Sequence, residues 1–373
     1  MTVLVSGASI AGLSVAHQLA ARGHEVTVVE RAPALRRAGS PIDVRGEALR
    51  VAAEMGILRR VHEERVVNSG RTLFTTFVDA TGSPVAALPN AEASDSDGDI
   101  EIARDRLVDI LHEAIGDRAE FVYGDSVTSV RQSRDGVEVA FASGAGRRFD
   151  LVIGADGIHS TVRRAVFGPE HEFRRHLGVY FSIVDLPTGS GVYGESLTYN
   201  SPGKMAGISD FGTRTLGFLA FRSPEVAYDH HSLDEQKRLI QDAFAAENGW
   251  RVGELLDAVR EASDLYFDSV SQVHMPSWSS DRVVLVGDAA HAAALFSGRG
   301  TSLAMLGASL LGEELGAANR PADHAAAFTA YERRLRPHVE RAQAGVPEAR
   351  DLLVPSTAAE LAARNSRFPL LAA

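Results

Sequence analysis

The 373-residue sequence predicts an α/β fold in which a domain built on a parallel sheet is interrupted by a domain built on an antiparallel sheet. Three observations indicate this fold. A strand–helix–strand unit opens the chain, and two further apolar strands followed by helices come much later. Between about 173 and 275 the pattern changes to alternating apolar and polar residues. The parallel-sheet domain is therefore expected to be discontinuous, with helices closing the chain.

The opening unit is defined by its apolar spacing. Apolar residues recur at helical intervals over 10–22, between short apolar strands at 2–6 and 25–30. A helix joining two such strands gives a parallel pair with a right-handed crossover. Further helices are predicted at 46–55 and 104–115, because each segment has a similar periodicity.

Turn residues and apolar runs predict the other strands. Residues 72–88 are typical of a hairpin, and the Asp-Gly pair at 135–136 marks the turn of another. The apolar strand 151–153 is expected to return to the parallel sheet. One long helix, over about 233–246, interrupts the alternating region.

These patterns divide the chain into three parts. Residues 1–75, 99–172 and 276–340 are assigned to the parallel-sheet domain, and 76–98 and 173–275 to the inserted antiparallel-sheet domain. Residues 341–373 are assigned to a C-terminal helical segment.

Composition excludes several classes of protein. The formal net charge of −11, without a basic patch, disfavours nucleic acid and anionic membranes as partners. Cysteine is absent and the histidines form no HExxH-type pair, so no metal site is predicted. The chain opens directly on a strand, without a signal-peptide pattern or a membrane-length apolar run. We therefore expect a cytoplasmic monomer or homodimer.

The first functional motif lies between the first strand and the first helix. Gly7, Ser9 and Gly12 form a G-x-S-x-x-G pattern, in which small residues let a pyrophosphate approach the helix N-terminus. Glu30 ends the next strand, where a carboxylate can accept hydrogen bonds from ribose hydroxyls and would oppose a 2′-phosphate. This order favours a Rossmann-like site for FAD or NAD over one for NADP. The alternative is a glycine-rich turn without a ligand.

Two later stretches repeat the strand-to-helix context. One is "DLVIGADGIHSTVRR", and the other is "LVGDAAHAAALFSGRGTSLAM". With the glycine motif, they give an ordered series of three signatures, the later two being Asp156-Gly157 and Gly287-Asp288. A fourth feature, R-x-x-L, matches Arg104 at the start of a helix. From residue 1 to about 337 the sequence resembles the group A flavin-dependent monooxygenases of the para-hydroxybenzoate hydroxylase-like fold. Among these, tetracycline-modifying and antibiotic-tailoring oxygenases look most similar.

The resemblance implies tightly but non-covalently bound FAD on a Rossmann-like, GR2-type domain. It places the adenosine end at residues 7–12 and Glu30, and the ribityl and pyrophosphate region at Asp288. Residues 298–302 would offer backbone amides to the isoalloxazine and stabilise its anionic reduced form. The residues so assigned to the cofactor are Gly7, Ser9, Ile10, Ala11, Gly12, Glu30, Arg31, Asp43, Arg45, Arg104, Val127, Asp156, Gly287, Asp288, Gly298, Gly300, Thr301 and Ser302. No catalytic side chain is assigned, but Leu295, Phe296 and Ser297 are expected near the ring.

Several of these residues have a second interpretation. Asp156 could instead cap the helix that follows it, and Arg104 could be a solvated residue at a helix start. Asp43 and Arg45 could form a surface ion pair. Arg36 and Arg37 could meet the phosphates of NAD(P)H or, preferably, solvent.

The late motif departs from the family pattern at two positions. Ala292 and Leu295 stand where relatives often have prolines, which would stiffen the loop over the flavin. This departure concerns the rigidity of the loop and not FAD binding. His291 could serve as a base, although packing on a helix is the more ordinary role for such a histidine.

The resemblance also implies a reaction. NAD(P)H would bind transiently and reduce FAD, and O2 would give a C4a-hydroperoxide that hydroxylates a small aromatic or polyketide-like substrate. Baeyer–Villiger oxidation, epoxidation, non-redox cyclisation, or sequestration with vestigial flavin are the alternatives. Aromatic residues of the antiparallel region would line the substrate cavity or form core: Tyr180, Phe181, Tyr193, Tyr199, Phe211, Phe218 and Phe221.

Overall fold

A computed structural model describes residues 1–35, 40–66, 75–88, 98–192, 194–212, 214–317 and 324–370. Arg36, Arg37 and Tyr193 lie outside the described residues, as do the first residues of the predicted 72–88 hairpin.

The strands of the described residues are, in chain order, β1 (Thr2–Ser6), β2 (Glu25–Glu30), β3 (Pro41–Val44), β4 (Thr75–Val78), β5 (Pro84–Leu88), β6 (Ile100–Ala103), β7 (Ala119–Tyr123), β8 (Val127–Ser133), β9 (Gly136–Phe141), β10 (Gly146–Phe149), β11 (Leu151–Gly154), β12 (Arg174–Leu186), β13 (Ser196–Ser201), β14 (Lys204–Asp210), β15 (Thr215–Arg222), β16 (Tyr266–Val273), β17 (Ser279–Ser280) and β18 (Val283–Leu285).

The α-helices are α1 (Ile10–Ala20), α2 (Glu47–Glu54), α3 (Leu58–Glu63), α4 (Arg104–Ile115), α5 (Thr161–Val166), α6 (Leu233–Phe244), α7 (Val252–Glu261), α8 (Asp288–His291), α9 (Gly300–Ala317), α10 (His324–Ala344), α11 (Val346–Leu353) and α12 (Ala358–Arg367). None of the helices in the described part of the chain is both long enough and apolar enough to cross a bilayer.

The chain forms two compact units. Unit 1 comprises Met1–Arg65, Ser96–Arg175 and Ser271–Gly345, and unit 2 comprises Val66–Asp95, His176–Val270 and Val346–Ala373. These bounds differ from the predicted ones mainly at the C-terminus, where the segment from Val346 onwards lies in unit 2 and not in a part of its own.

Unit 1 is built on a sheet of order β17–β18–β11–β1–β2–β7, in which all neighbours except β17 and β18 are parallel. Val3 lies beside Leu151 on one side and Val26 on the other. The strand predicted at 151–153 therefore does return to the parallel sheet. Residues 3–5 are fully buried, as expected for a parallel strand that is covered on both faces.

Helices of unit 1 pack on one another through small and apolar faces. Helix α1 lies against α9 and α4, and α9 lies against α10. In α10, Phe328, Tyr331, Leu335 and Val339 are buried on one face at helical spacing. The Asp-Gly pair at 135–136 joins β8 to β9 in a hairpin, as predicted.

Unit 2 contains a mainly antiparallel sheet of order β16–β12–β15–β14–β13–β4–β5. One face packs on α6 and α7, where the rings of Tyr180, Phe221 and Phe267 stack at centroid distances of 5.5–6.3 Å. Tyr180 and Phe221 are therefore core residues. The helix predicted over 233–246 is α6. The prediction of a single helix in this region was wrong, because a second helix, α7, follows after a turn that contains Trp250, whose φ is +46°.

The C-terminal helix α12 is joined to this sheet by a buried cation. The side chain of Arg364 donates hydrogen bonds to Asn200 Oδ1 (3.1 Å) and to the Leu352 carbonyl (3.3 Å). Its guanidinium lies 3.5 Å from the centre of the Phe77 ring, and burial lowers the pKa of Arg364 to about 10. These contacts explain why the last residues lie in unit 2.

We expect Arg364→Ala to destabilise the protein by about 3 kcal/mol, because it leaves the Asn200 oxygen buried without a donor and removes the cation from the Phe77 ring. Urea unfolding of the full chain measures this change. Arg367→Ala, in the same helix, removes an exposed side chain that pairs with Glu348 and should change stability by about 0.5 kcal/mol or less. Equal effects would show that Arg364 does not anchor α12.

Candidate functional site

The predicted motifs follow four neighbouring strands of the parallel sheet. Strands β18, β11, β1 and β2 are adjacent in that order. Gly287-Asp288 follows β18, Asp156-Gly157 follows β11, Gly7 follows β1, and Glu30 is the last residue of β2. Since the carboxyl ends of parallel strands meet at one edge, motifs far apart in sequence converge there.

Two glycines at this edge are required by close backbone packing. A Cβ on Gly7 would lie 2.5 Å from the Ala155 carbonyl oxygen, and Gly7 has a φ of +106°. A Cβ on Gly287 would lie 2.7 Å from the Cβ of Ala11, at a φ of +59°. Gly12 is equally constrained, because its Cβ would overlap the Gly7 carbonyl oxygen. The glycine motif therefore lies in close contact with the other two motifs, against the backbone after β11 and, through Ala11, against Gly287.

Glu30 points back to the glycine motif. Its carboxylate accepts hydrogen bonds from the amides of Ala8 and Ala32, both at 2.9 Å. Arg31 is largely exposed beside it, whereas the side chain of Val127 is buried in the core of unit 1. Only the backbone of Val127 can therefore be offered to a ligand.

The N-terminus of α1 is arranged for an anion. Its N-cap residue, Ser9, makes no side-chain cap hydrogen bond, its first turn contains no acid, and Ile10 is buried. Instead Ser9 Oγ accepts a hydrogen bond from Arg104 Nη2 at 2.8 Å. A cation beside the positive end of a helix dipole is unfavourable unless an anion binds there as well.

Asp156 caps the helix that follows it. Its carboxylate accepts hydrogen bonds from Ser160 Oγ (2.5 Å) and from the amides of Thr161 (2.8 Å) and Val162 (3.1 Å). Burial raises the pKa of Asp156, and these hydrogen bonds oppose the rise. The geometry thus accounts for the capping interpretation, and a role toward a cofactor would come in addition to it.

Asp43 and Arg45 lie beside the late glycine loop. They form an ion pair at 2.6 Å, and the Arg45 amide donates to Ser302 Oγ at 3.0 Å. A Cβ on Gly298, which has a φ of +60°, would lie 3.4 Å from the Arg45 guanidinium. Arg45 Nε is buried and has no hydrogen-bond partner among the described residues. A buried donor of this kind indicates a site for an additional acceptor.

The loop before α9 is partly exposed, and the space beside Gly300, the first residue of α9, is open. Leu295 is 41% exposed, while Phe296, Ser297 and Thr301 are partly buried. A Cβ on Gly300 would meet no atom within 4 Å, so no contact within the described chain requires glycine there. That open space is consistent with a ligand lying against the backbone.

Asp288 and His291 differ sharply in burial. Asp288 is exposed, although Val286 and Ala289 on either side are fully buried. His291 is 2% exposed and its ring lies 4.7 Å from that of Trp278. Burial lowers the pKa of His291 to about 4, so the ring is neutral near pH 7. Packing describes this residue better than proton transfer.

Sequence reasoning missed Arg163, which connects two of the motifs. It is fully buried and donates to the carbonyls of Ala289 (2.9 Å) and Ile158 (2.5 Å), with Glu170 3.5 Å away. Hydrogen bonding and charge from His159, together with Arg174 and Arg163, hold the pKa of Glu170 at about 2 against desolvation. The only sequence feature that could have pointed to Arg163 is the Val-Arg-Arg run soon after Asp156-Gly157.

The described residues fit FAD. The glycine motif ends at a helix N-terminus that has a cation beside it, an arrangement that favours a pyrophosphate, and Glu30 ends the adjacent strand. The unpartnered Arg45 Nε and the open space at Gly300 border the second glycine loop. The chemistry of these two regions is suitable for the two ends of a dinucleotide.

The chain is similar to known proteins over nearly its whole length. The sequence model of the FAD binding domain family matches residues 1–345. The uncharacterised protein Rv1260 of Mycobacterium tuberculosis (strain ATCC 25618 / H37Rv) is 40% identical over 350 residues, which cover 92% of this chain and 91% of the relative.

Two named proteins are also similar over nearly the whole chain. A flavin-dependent monooxygenase of Legionella longbeachae serogroup 1 (strain NSW150) is 35% identical, and the alignment covers 91% of this chain and 86% of the relative. The crystal structure of tetracycline destructase Tet(51) has a TM-score of 0.85 at 32% identity, covering 98% of this chain and 95% of that one.

We expect His291→Gln to flatten the dependence of stability on pH. The pKa of His291 is about 4 in the folded chain and ordinarily 6.5, so below pH 6.5 the unfolded state binds a proton that the folded state does not. Stability attributable to this residue is thus lost as pH falls from 6.5 to 4, by about 1.4 kcal/mol per pH unit.

Urea unfolding between pH 7 and 4.5 measures this slope. His17, whose pKa burial also lowers to about 4, should contribute a second slope that His17→Gln removes independently. If wild type and His291→Gln lose stability at the same rate, the buried neutral state of His291 is disproved.

Proposed function

Because the chain belongs to the FAD-binding-domain family and is a flavin-dependent monooxygenase, we propose that it consumes NADH or NADPH and O2 to hydroxylate an aromatic or polyketide-like small molecule. The convergence of the three motifs and Glu30 at one sheet edge carries the proposal. This edge combines a helix N-terminus that favours an anion, the carboxylate of Glu30 and the exposed Asp288, a set of groups that suits a dinucleotide.

We assign the phosphates of FAD to the N-terminus of α1, between Ser9 and Arg104. The free amides of the first turn and the guanidinium both favour an anion there. Glu30 is assigned to the ribose of the adenosine end. The exposed carboxylate of Asp288 is assigned to the ribityl region, because it alone is exposed between buried neighbours.

The isoalloxazine is assigned to the loop that opens α9. Gly298 and Gly300 leave the backbone bare, and the first turn of α9 contains no acidic residue. Amides at a helix N-terminus stabilise negative charge, so this end of α9 favours the anionic reduced ring. The bound flavin supplies the oxygen chemistry, and the chain supplies its position and the exclusion of water.

A flat, phenolic, fused-ring substrate is supported by the likeness to a tetracycline destructase. In unit 2, the sheet face opposite α6 and α7 carries Phe181 and Phe218, whose ring centroids are 6.0 Å apart, together with Ile183. Tyr180 and Phe221 are already committed to the core of unit 2. We therefore assign contact with the substrate to Phe181 and Phe218.

The decisive experiment is to purify the chain and release its chromophore. A yellow protein that releases FAD is expected, and absence of bound flavin after reconstitution would refute the cofactor assignment. NADH and NADPH oxidation is then followed with phenols and tetracycline as probes. Substrate-stimulated oxidation with a product one oxygen heavier supports hydroxylation, and nuclear magnetic resonance of that product separates it from ring expansion or epoxidation.

Asp288→Ala should weaken FAD binding about tenfold to a hundredfold, because a charge-assisted hydrogen bond to the cofactor is lost. Fluorescence titration of the apoprotein with FAD measures the affinity. Asp257→Ala removes an exposed acid that pairs with Arg260 in α7 and should leave it unchanged. Normal FAD affinity in Asp288→Ala would remove the role assigned to this residue.

Gly300→Val should weaken FAD binding at least tenfold while leaving the stability of the apoprotein nearly unchanged. Its side chain would enter open space and would conflict only with a bound ring. Gly253→Val is the matched control, since Gly253 also lies in the first turn of a helix with no atom within 4 Å of a Cβ. If both variants bind FAD equally well, the ring does not lie against Gly300.

A further inference from the structure

The turn that precedes the late glycine loop contains a strained residue. Ala294 has a φ of +76° and a ψ of +156°, a region that is essentially restricted to glycine. Leu295 to Ser297 then form a short 3₁₀ turn, and Gly298 has a φ of +60°. A non-glycine residue keeps such a conformation only where surrounding contacts impose it.

Two buried glutamines make those contacts. Gln343 Nε2 donates to the carbonyls of Ala292 (3.1 Å) and Val273 (2.9 Å). Gln272 Nε2 donates to the carbonyls of Ala293 (3.3 Å) and Gln343 (2.8 Å). Gln272 is 6% exposed and Gln343 is 8% exposed. We call these two residues the glutamine pair.

The glutamine pair is itself fixed. Gln272 Oε1 lies 2.9 Å from His274 Nε2, which orients the amide so that its nitrogen faces the carbonyls. The Val273 amide adds a hydrogen bond to the Ala292 carbonyl at 3.0 Å. Because Gln272 belongs to β16 and Gln343 to α10, the two carbonyls before Ala294 are held by two separate elements of regular structure.

We propose that Gln272 and Gln343 are positioning residues that impose the strained backbone of Ala294. Through it they fix the Leu295–Ser297 turn and the N-terminus of α9. They provide, through tertiary hydrogen bonds, the stiffness that proline at 292 and 295 would provide locally. The first part of the proposal concerns the chain alone, and its consequence for flavin binding rests on the proposed function.

A double-mutant cycle tests the first part. Ala294→Gly relieves the strain and should raise the folding equilibrium constant on the order of tenfold in the wild-type background. In Gln343→Met, which keeps the side-chain length but removes the donor, the backbone can relax, and Ala294→Gly should give no more than about a threefold gain. Urea unfolding of the full chain measures all four proteins.

Equal gains in the two backgrounds would overturn the proposal, because the strain would then not depend on the glutamine pair. If Gln343→Met does not fold, Gln272→Met in the same cycle decides the question, since it removes the donor to Ala293 and leaves Gln343 in place.

The second readout is FAD affinity of the apoprotein. Gln343→Met should weaken FAD binding about tenfold, and adding Leu295→Pro should restore most of the loss. Proline suits position 295, because Leu295 is the first residue of the 3₁₀ turn, where the missing amide donor and fixed φ of proline are tolerated.

Unchanged FAD affinity in Gln343→Met, or no restoration by Leu295→Pro, would overturn the consequence for flavin binding. If the wild-type apoprotein binds no FAD, the proposed function fails instead, and the double-mutant cycle still decides whether the glutamine pair imposes the strain.

Discussion

The site depends on a close approach between strand ends and the start of α1 that leaves no space for a Cβ at Gly7 or Gly287. Gly7 lies against the Ala155 carbonyl, and Gly287 lies against Ala11, at distances that a Cβ would make impossible. Strand β11 pairs with β1 on one side and with β18 on the other, which brings these segments to the same edge of the sheet. The order of the strands and the positions of the glycines therefore act together to fix this edge of the sheet. Glu30 and Asp288 lie at the same edge because each is at or just after the end of one of its strands.

Several charged side chains of unit 1 lie close to these strand ends. The first turn of α1 receives no cap from the Ser9 side chain, and Arg104 adds a cation beside it, whereas the carboxylate of Asp156 accepts hydrogen bonds from the first amides of α5. Arg163 then connects the loop after β11 to α8 through two backbone carbonyls. Backbone carbonyls do not neutralise the positive charge of Arg163. The negative charge that does so is the nearby carboxylate of Glu170. The motifs are thus held relative to one another by groups outside them.

Local patterns predicted the parts of the fold that depend on local chemistry. The spacing of apolar residues and the positions of glycines were sufficient to predict the β1–α1–β2 unit and the return of β11 to the parallel sheet. The hydrogen bond from Arg104 to Ser9 joins residues 95 positions apart, and the contacts of Arg364 join α12 to distant strands. Such pairs have no local signal. Helix α7 was missed because the turn at Trp250 has a backbone that favours glycine.

The loop before α9 shows how one geometry can be reached by two physical routes. Proline restricts the unfolded chain and fixes φ whatever surrounds it. The glutamine pair acts only in the folded state, since its hydrogen bonds exist only while β16 and α10 are both in place. The order of the loop is then coupled to the local stability of those elements, and opening of either one releases Ala294 from its strained backbone. In this chain, therefore, the rigidity of the loop before α9 depends on the tertiary hydrogen bonds from β16 and α10 and not on the loop sequence.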